Sequence, residues 1–210
     1  MTALTEFLST AFQQATSLGI AEAIAVALAM AYIIFAIKES LWCWPAAFLS
    51  TAIYTWLFWE VSLLMESVLN VYYMAMAVYG YWHWRANKNA HQDTKPVVSW
   101  SLARHGWIIG ISTLGSIILG YLMATYTQAH FPWLDAATTV FAVVTTWLVA
   151  QKVLENWLYW IVIDAASIYL YIQKDLMLTA ALFLIYIVLA AIGYLRWQDT
   201  LPYNSDQPSR

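Results

Sequence analysis

Gly80-Tyr81-Trp82-His83-Trp84 returns 113 positions later as Gly193-Tyr194-Leu195-Arg196-Trp197, and the fold is read outward from this pair of endings. Sliding residues 22–84 onto 135–197 requires no gap, and in that register Glu22 meets Asp135, Leu41 meets Leu154, Trp44 meets Trp157 and Tyr73 meets Tyr186. Self-similarity at a fixed offset marks a structural unit used twice. Each unit contains three apolar runs, at 20–38, 43–60 and 62–83 and again at 134–151, 155–173 and 176–197, with one connecting run at 106–127. A helix needs roughly 20 apolar residues to cross a bilayer. The pattern therefore predicts an all-α membrane protein of seven transmembrane helices, two three-helix repeats joined by a linker helix. Four crossings separate equivalent points, so the repeats are parallel and related by an axis along the membrane normal. Transporters are built on such repeats, with substrate held between them near mid-membrane.

Composition agrees. Of 210 residues, 62% are apolar and 10% charged, with mean hydropathy +0.62, which leaves too little polar surface to coat a water-soluble globule. The expected divisions are a surface helix over 1–19, a first repeat over 20–84, a basic loop and linker helix over 85–133, a second repeat over 134–197 and a tail over 198–210. The first segment places Leu4, Phe7, Leu8 and Phe12 on one helical face and has no Lys or Arg, so it reads as a helix lying on the membrane rather than a secretory signal.

Loops on the cytoplasmic side of a membrane collect Lys and Arg. With the Arg85–His105 loop inside, Lys38, Arg85, Lys88, Lys95, Arg104, Lys152, Arg196 and Arg210 all fall on that side, and Lys174 alone falls outside. The N-terminus is then external and the C-terminus cytoplasmic. Trp42, Trp44, Trp82, Trp84, Trp133, Trp157 and Trp197 lie near span ends, where indole rings favour the headgroup layer, and are expected to be interfacial anchors.

Several function classes fall away. The single cysteine, Cys43, permits no internal disulfide and no cysteine-ligated cluster. A retinal photoreceptor needs a Schiff-base lysine in its last span, and residues 176–197 contain none. His83, His91, His105 and His130 sit at span ends or in loops, so no intramembrane pair is offered to a haem or metal. No Gly-x-x-x-x-Gly-Lys-[Ser/Thr] sequence and no loop long enough for a nucleotide domain supports a primary pump. The expectation is a non-enzymatic carrier without cofactor or metal, with no nucleic-acid partner, embedded in the lipid bilayer. A membrane scaffold remains a remote alternative in which buried acids would have no task.

Ionisable groups within the hydrocarbon cost about 2.5–3.5 kcal/mol on insertion scales and call for a partner or a function. In the sixth span Asn156, Trp160 and Asp164 recur every four residues, with Ser167 and Tyr171 continuing the face. The third span carries a matching stripe of Glu66, Asn70 and Tyr73, and Tyr186 is the repeat mate of Tyr73. Threonines at 51, 55, 138, 139, 145 and 146 serve equally well as internal helix bonds. Acid, amide and indole facing one cavity suit a flat organic cation with hydrogen-bonding edges.

These residues carry a resemblance. Glu155-Asn156-Trp157-Leu158-Tyr159-Trp160, Val78-Tyr79-Gly80-Tyr81-Trp82-His83-Trp84, and Lys174-Asp175 with the final Gly193–Trp197 ending resemble the Pnu family of bacterial vitamin transporters. That family includes nicotinamide riboside carriers of the PnuC type and their thiamine relative PnuT. The resemblance covers nearly all of 20–197. It implies a 3+1+3 fold related to SWEET sugar carriers, a homotrimer in the bacterial inner membrane, and facilitated diffusion followed by cytoplasmic phosphorylation of the vitamin. It also implies substrate binding by Asn156 and Trp160. Where nicotinamide riboside carriers commonly have a Gln, this chain has Asn70. Glu66 and Tyr81 also depart from the pattern. A carboxyl group matches the aminopyrimidine edge of thiamine, and a long amide matches the riboside. Glu66 with Asn70 therefore favours thiamine, with nicotinamide riboside as the alternative.

Overall fold

The structure is a computed structural model in which residues 19–60, 64–86, 94–173 and 177–201 are described. The expected surface helix over 1–19 and most of the tail lie outside the described residues. Seven helices occur among the described residues: α1 Ile20–Ile37, α2 Cys43–Glu60, α3 Leu64–Ala86, α4 Leu102–Tyr126, α5 Pro132–Ala150, α6 Asn156–Gln173 and α7 Met177–Asp199. By length and composition alone, α4, α5 and the stretch Ala180–Asp199 are apolar enough to cross a membrane. α4 starts four residues before its apolar run, since Ser101 takes the extended conformation that precedes a helix and Arg104 and His105 continue the first turns. Pro132 opens α5, where its missing N–H leaves no bond unmade.

Six of the helices close a ring. α1 packs on α2, α2 on α3, α3 on α5, α5 on α6, α6 on α7 and α7 on α1, while α4 runs along the outside of α5. Within each triplet the second helix lies between the first and the third.

Contacts recur at the 113-residue offset. The α1–α2 and α5–α6 turns both end their first helix in a Schellman motif, with Ser40 N–H on Phe35 O (2.9 Å) and Glu39 N–H on Ala36 O (2.9 Å) matched by Val153 N–H on Leu148 O (3.0 Å) and Lys152 N–H on Val149 O (2.9 Å). The residue after each cap is left-handed, Glu39 at φ 55° and Lys152 at φ 58°.

The tryptophans depart from expectation. Trp42, Trp82 and Trp133 are exposed, as anchors should be, but Trp44, Trp84, Trp157 and Trp197 form the buried centre of the molecule. Glycine makes the room. A Cβ at Gly193 would stand 2.7 Å from the Trp157 ring, and one at Gly80 would collide with Trp44. The rings then meet edge to face, Trp44 on Trp84 at 5.2 Å and 84°, Trp157 on Trp197 at 5.2 Å and 83°. Each closing tryptophan reaches into the other half: Trp84 Nε1–H donates to Ala150 O (3.1 Å) and Val149 O (3.3 Å), and Trp197 Nε1–H donates to Ala36 O (3.0 Å). Ala36 and Val149 are themselves 113 residues apart.

Candidate transport site

The helix ring surrounds a partly open cavity of about 300 Å³, within the range of small-molecule sites. Its wall is built largely from repeat mates. Ile33 and Thr146, Ala36 and Val149, Trp44 and Trp157, Ala47 and Trp160, Thr51 and Asp164, and Tyr73 and Tyr186 each pair at the 113-residue offset. Tyr32, Ser50 and Phe183 complete its polar and aromatic lining, and α4 contributes nothing to it.

The chemistry of the wall is unequal although its framework is paired. Where the first half presents Ala47 and Thr51, the second presents Trp160 and Asp164, one helical turn apart on the same face of α6. Thr51 satisfies itself by donating to Ala47 O (2.8 Å). Asp164 is buried near the middle of α6, and no hydrogen-bond donor meets its carboxylate among the described residues. The same framework position takes a neutral residue in the other half, so the fold does not require this charge. A carboxylate among Trp160, Tyr73 and Tyr186 provides both an aromatic face and a negative pole to a flat ligand.

Of the seven residues singled out from sequence, Tyr73, Trp160, Asp164 and Tyr186 come together at the cavity. Glu66, Asn70 and Asn156 do not line it. Glu66 sits exposed in the first turn of α3, and Asn70 folds its amide back onto Glu66 O at 2.9 Å. The stripe on α3 is real, but only Tyr73 lies at cavity height. Asn156 is the fully buried first residue of α6, and its amide nitrogen donates to Val153 O at 2.6 Å. Its carbonyl oxygen has no partner among the described residues. Sequence reasoning missed Tyr32, Phe183 and the Trp44/Trp157 wall. Most of the threonines bond within their own helix, Thr55 to Thr51 O, Thr138 to Leu134 O and Thr146 to Ala142 O.

At the end of the bundle near Trp84 and Trp197, the polar segment after α3 is part of the packing. Val97 is fully buried, Lys95 N–H bonds Trp84 O (2.9 Å), and Val98 brackets the α5–α6 turn through Lys152 O (3.0 Å) and Leu154 N–H (2.8 Å). Ser99 Oγ–H and Trp100 N–H both donate to the Glu155 carboxylate, which also lies 3.4 Å from His105 Nε2. Lys152 is one of the cations that the sequence places between spans on the cytoplasmic side. It is fully buried, 2.6 Å from Glu39, with Thr94 Oγ1 at 2.8 Å. Burial pushes the Lys152 ammonium below the usual lysine range, with Glu39 opposing that shift. Burial and the nearby Lys152 charge lower Lys95 as well.

Comparison with known proteins decides the family. The family described as Nicotinamide mononucleotide transporter matches residues 19–199. The chain belongs to that family. It is a multi-pass membrane transporter, and its named relatives are transporters rather than enzymes. The riboflavin/roseoflavin transporter RibM of Streptomyces davaonensis is 25% identical over 179 residues, 82% of this chain and 84% of that protein. The nicotinamide riboside transporter PnuC of Haemophilus influenzae is 27% identical over 151 residues, 69% of this chain and 64% of that protein. The crystal structure of the vitamin B3 transporter PnuC shares the fold, with TM-score 0.70 and 17% identity over 93% of this chain and 89% of that one. Thiamine is named in none of these three relatives. The ground for preferring it, a Glu66–Asn70 pair at the cavity, is absent because Glu66 is exposed and Asn70 bonds its own helix.

Proposed function

We propose that this transporter carries a flat, positively charged ring vitamin of the nicotinamide riboside kind, and that the cavity between the two halves is its binding site. The observation that carries the reading is Asp164, a buried carboxylate without a donor among the described residues, facing a cavity walled by Trp160, Tyr73 and Tyr186. A ring cation stacks on the indole and is attracted by its quadrupole, and the carboxylate compensates the charge. Ser50, Thr51 and Thr146 donate their hydroxyl hydrogens to Ala25 O, Ala47 O and Ala142 O, and their oxygens at the cavity wall can accept from the hydroxyls of a sugar.

Residues 20–84 and 134–197 act as two parallel three-helix repeats, with α4 as linker, in a 3+1+3 layout. The paired turns, glycine–tryptophan contacts and cross-donated indole bonds support this. The excess of Lys and Arg supports an orientation with the Glu39–Lys152 end at the cytoplasm and the N-terminus outside. Transport is downhill facilitated diffusion in the bacterial inner membrane. α4 presents an apolar face away from the ring, with Ile111, Leu114 and Ile118 exposed, and this face serves the expected homotrimer.

Riboflavin is the second reading, favoured by the long match to RibM and by an aromatic wall on which a neutral ring also stacks. Uptake into proteoliposomes separates them. With sodium, proton gradient and voltage all absent, labelled nicotinamide riboside should equilibrate, and Asp164→Asn should reduce its entry at least tenfold. Riboflavin entry that is faster, and indifferent to Asp164→Asn, would replace this reading with the second one.

A further inference from the structure

One end of the cavity is closed by two layers. Trp44 and Trp157 form the inner layer, and Trp84 and Trp197 lie behind them in a continuous chain of rings, with 5.9 Å between the Trp84 and Trp197 centroids. Beyond the rings lies the Glu39–Lys152 ion pair at 2.6 Å, with Lys152 Nζ also 4.8 Å from the Trp84 ring centre.

Glu39 and Lys152 are themselves 113 residues apart, equivalent positions of the two halves that touch each other. Equivalent atoms can meet only where the relating axis passes, so the pair straddles the axis along which solute must leave. Each residue occupies the left-handed position of its Schellman turn, φ 55° and 58°, where glycine would sit without strain. Both halves instead hold a charged residue there, of opposite sign. Such strain is retained where the side chain has work to do, and switch regions are a common setting.

The links between the halves at this end are noncovalent and include the ion pair, the Trp84 bond to Ala150 O, the Trp197 bond to Ala36 O and the Gln151 Nε2–H bond to Tyr79 Oη (2.7 Å). The ion pair is the contact that parts if the two turns move apart. Only the second turn carries a strap, because Lys152 Nζ also donates to Thr94 Oγ1 and Lys95 O, while Val98 pairs with Val153. The strap holds Lys152 and is also tied to α3, since Lys95 N–H bonds Trp84 O (2.9 Å), whereas Glu39 meets the second turn through Lys152.

We infer that Glu39 and Lys152 form the lock of a gate over the four-tryptophan floor, and that solute leaves at this end only when the pair parts. Naming this side cytoplasmic rests on the orientation proposed above. The lock itself rests on neither that orientation nor the vitamin.

The full-length transporter, with Cys43→Ser and the cavity reporter Ala47→Cys, is reconstituted in right-side-out and inside-out vesicles and labelled with a membrane-impermeant maleimide. With the lock intact, the reporter should be protected from the cytoplasmic face. Glu39→Gln and Lys152→Gln should each speed labelling from that face at least tenfold and leave the outer face unchanged. The exchanged pair, Glu39→Lys with Lys152→Glu, should restore protection. Should Lys152→Gln fail to assemble, Glu39→Gln and the exchanged pair carry the same test. Unchanged labelling in Glu39→Gln, equal acceleration from both faces, or an exchanged pair as fast as the single variants would each overturn the lock. Acceleration confined to the outer face would support the lock and overturn the orientation. No vitamin is added, so failure of the substrate assignment leaves every outcome readable.

Discussion

Replacing Gly193 with alanine tests whether the buried tryptophans hold the halves together. The added Cβ would stand 2.7 Å from the Trp157 ring, and ordinary contact begins at 3.4 Å, so ring and helix must separate by about 0.7 Å. Retreat is blocked. Trp157 is 4% exposed and also meets Trp197 edge to face at 5.2 Å. Overpacking without an escape route costs about 1–3 kcal/mol. The loss should be read as an earlier midpoint in reversible unfolding of the detergent-solubilised protein titrated with SDS. Gly80→Ala should behave alike, because its Cβ collides with Trp44 in the equivalent place. Adding Trp157→Phe to Gly193→Ala should recover part of the loss, with a coupling of about 1 kcal/mol or more in the double-mutant cycle. Gly106→Ala and Gly110→Ala on α4, where a Cβ meets nothing within 4 Å, are the controls and should be neutral or mildly stabilising. A Gly193→Ala protein with an unchanged midpoint, or a cycle with no coupling, would refute the role given to these glycines.

Trp160→Ala should weaken vitamin binding by about 1–2 kcal/mol, the combined worth of stacking and cation attraction, measured by calorimetry on folded protein. Glu66→Gln should leave affinity within error for every vitamin tried, since Glu66 is exposed and outside the cavity; a tenfold loss would return it to the site. Trp197→Phe keeps a ring but leaves Ala36 O without its indole donor, and should lower stability by about 1 kcal/mol in the same SDS titration.

Much of this architecture was legible in the sequence because hydropathy and the repeat report on it directly. Hydrocarbon demands apolar runs, which exposed the helices, and the 113-residue register already paired Tyr73 with Tyr186 across the cavity. The spacing of Trp160 and Asp164 placed them on one face, and the helix ring turned that face inward. Trp44, Trp84, Trp157 and Trp197 depart from the anchor reading because an indole near a span end fits an interface or a glycine-lined hole equally well. The signal for the hole was present: Gly80 and Gly193 each precede a buried tryptophan by four residues. Glu66 and Asn70 share a face with Tyr73, yet a face runs the whole length of a helix while the cavity occupies only its middle. Composition marks the start of 85–133 only as a basic loop, whereas the backbone at Val98 brackets the turn that holds Lys152. The Glu39–Lys152 match was hidden because opposite charges score as a mismatch, although opposite charges are what allow equivalent positions to pair.

Binding calorimetry on the purified transporter and on Asp164→Asn, with nicotinamide riboside, thiamine and riboflavin in turn, tests the central claim most directly. The expected result is saturable binding of nicotinamide riboside that falls at least tenfold in Asp164→Asn, with riboflavin weaker and unaffected by the substitution. Tight riboflavin or thiamine binding with no heat from nicotinamide riboside, or nicotinamide riboside affinity unchanged in Asp164→Asn, would contradict it.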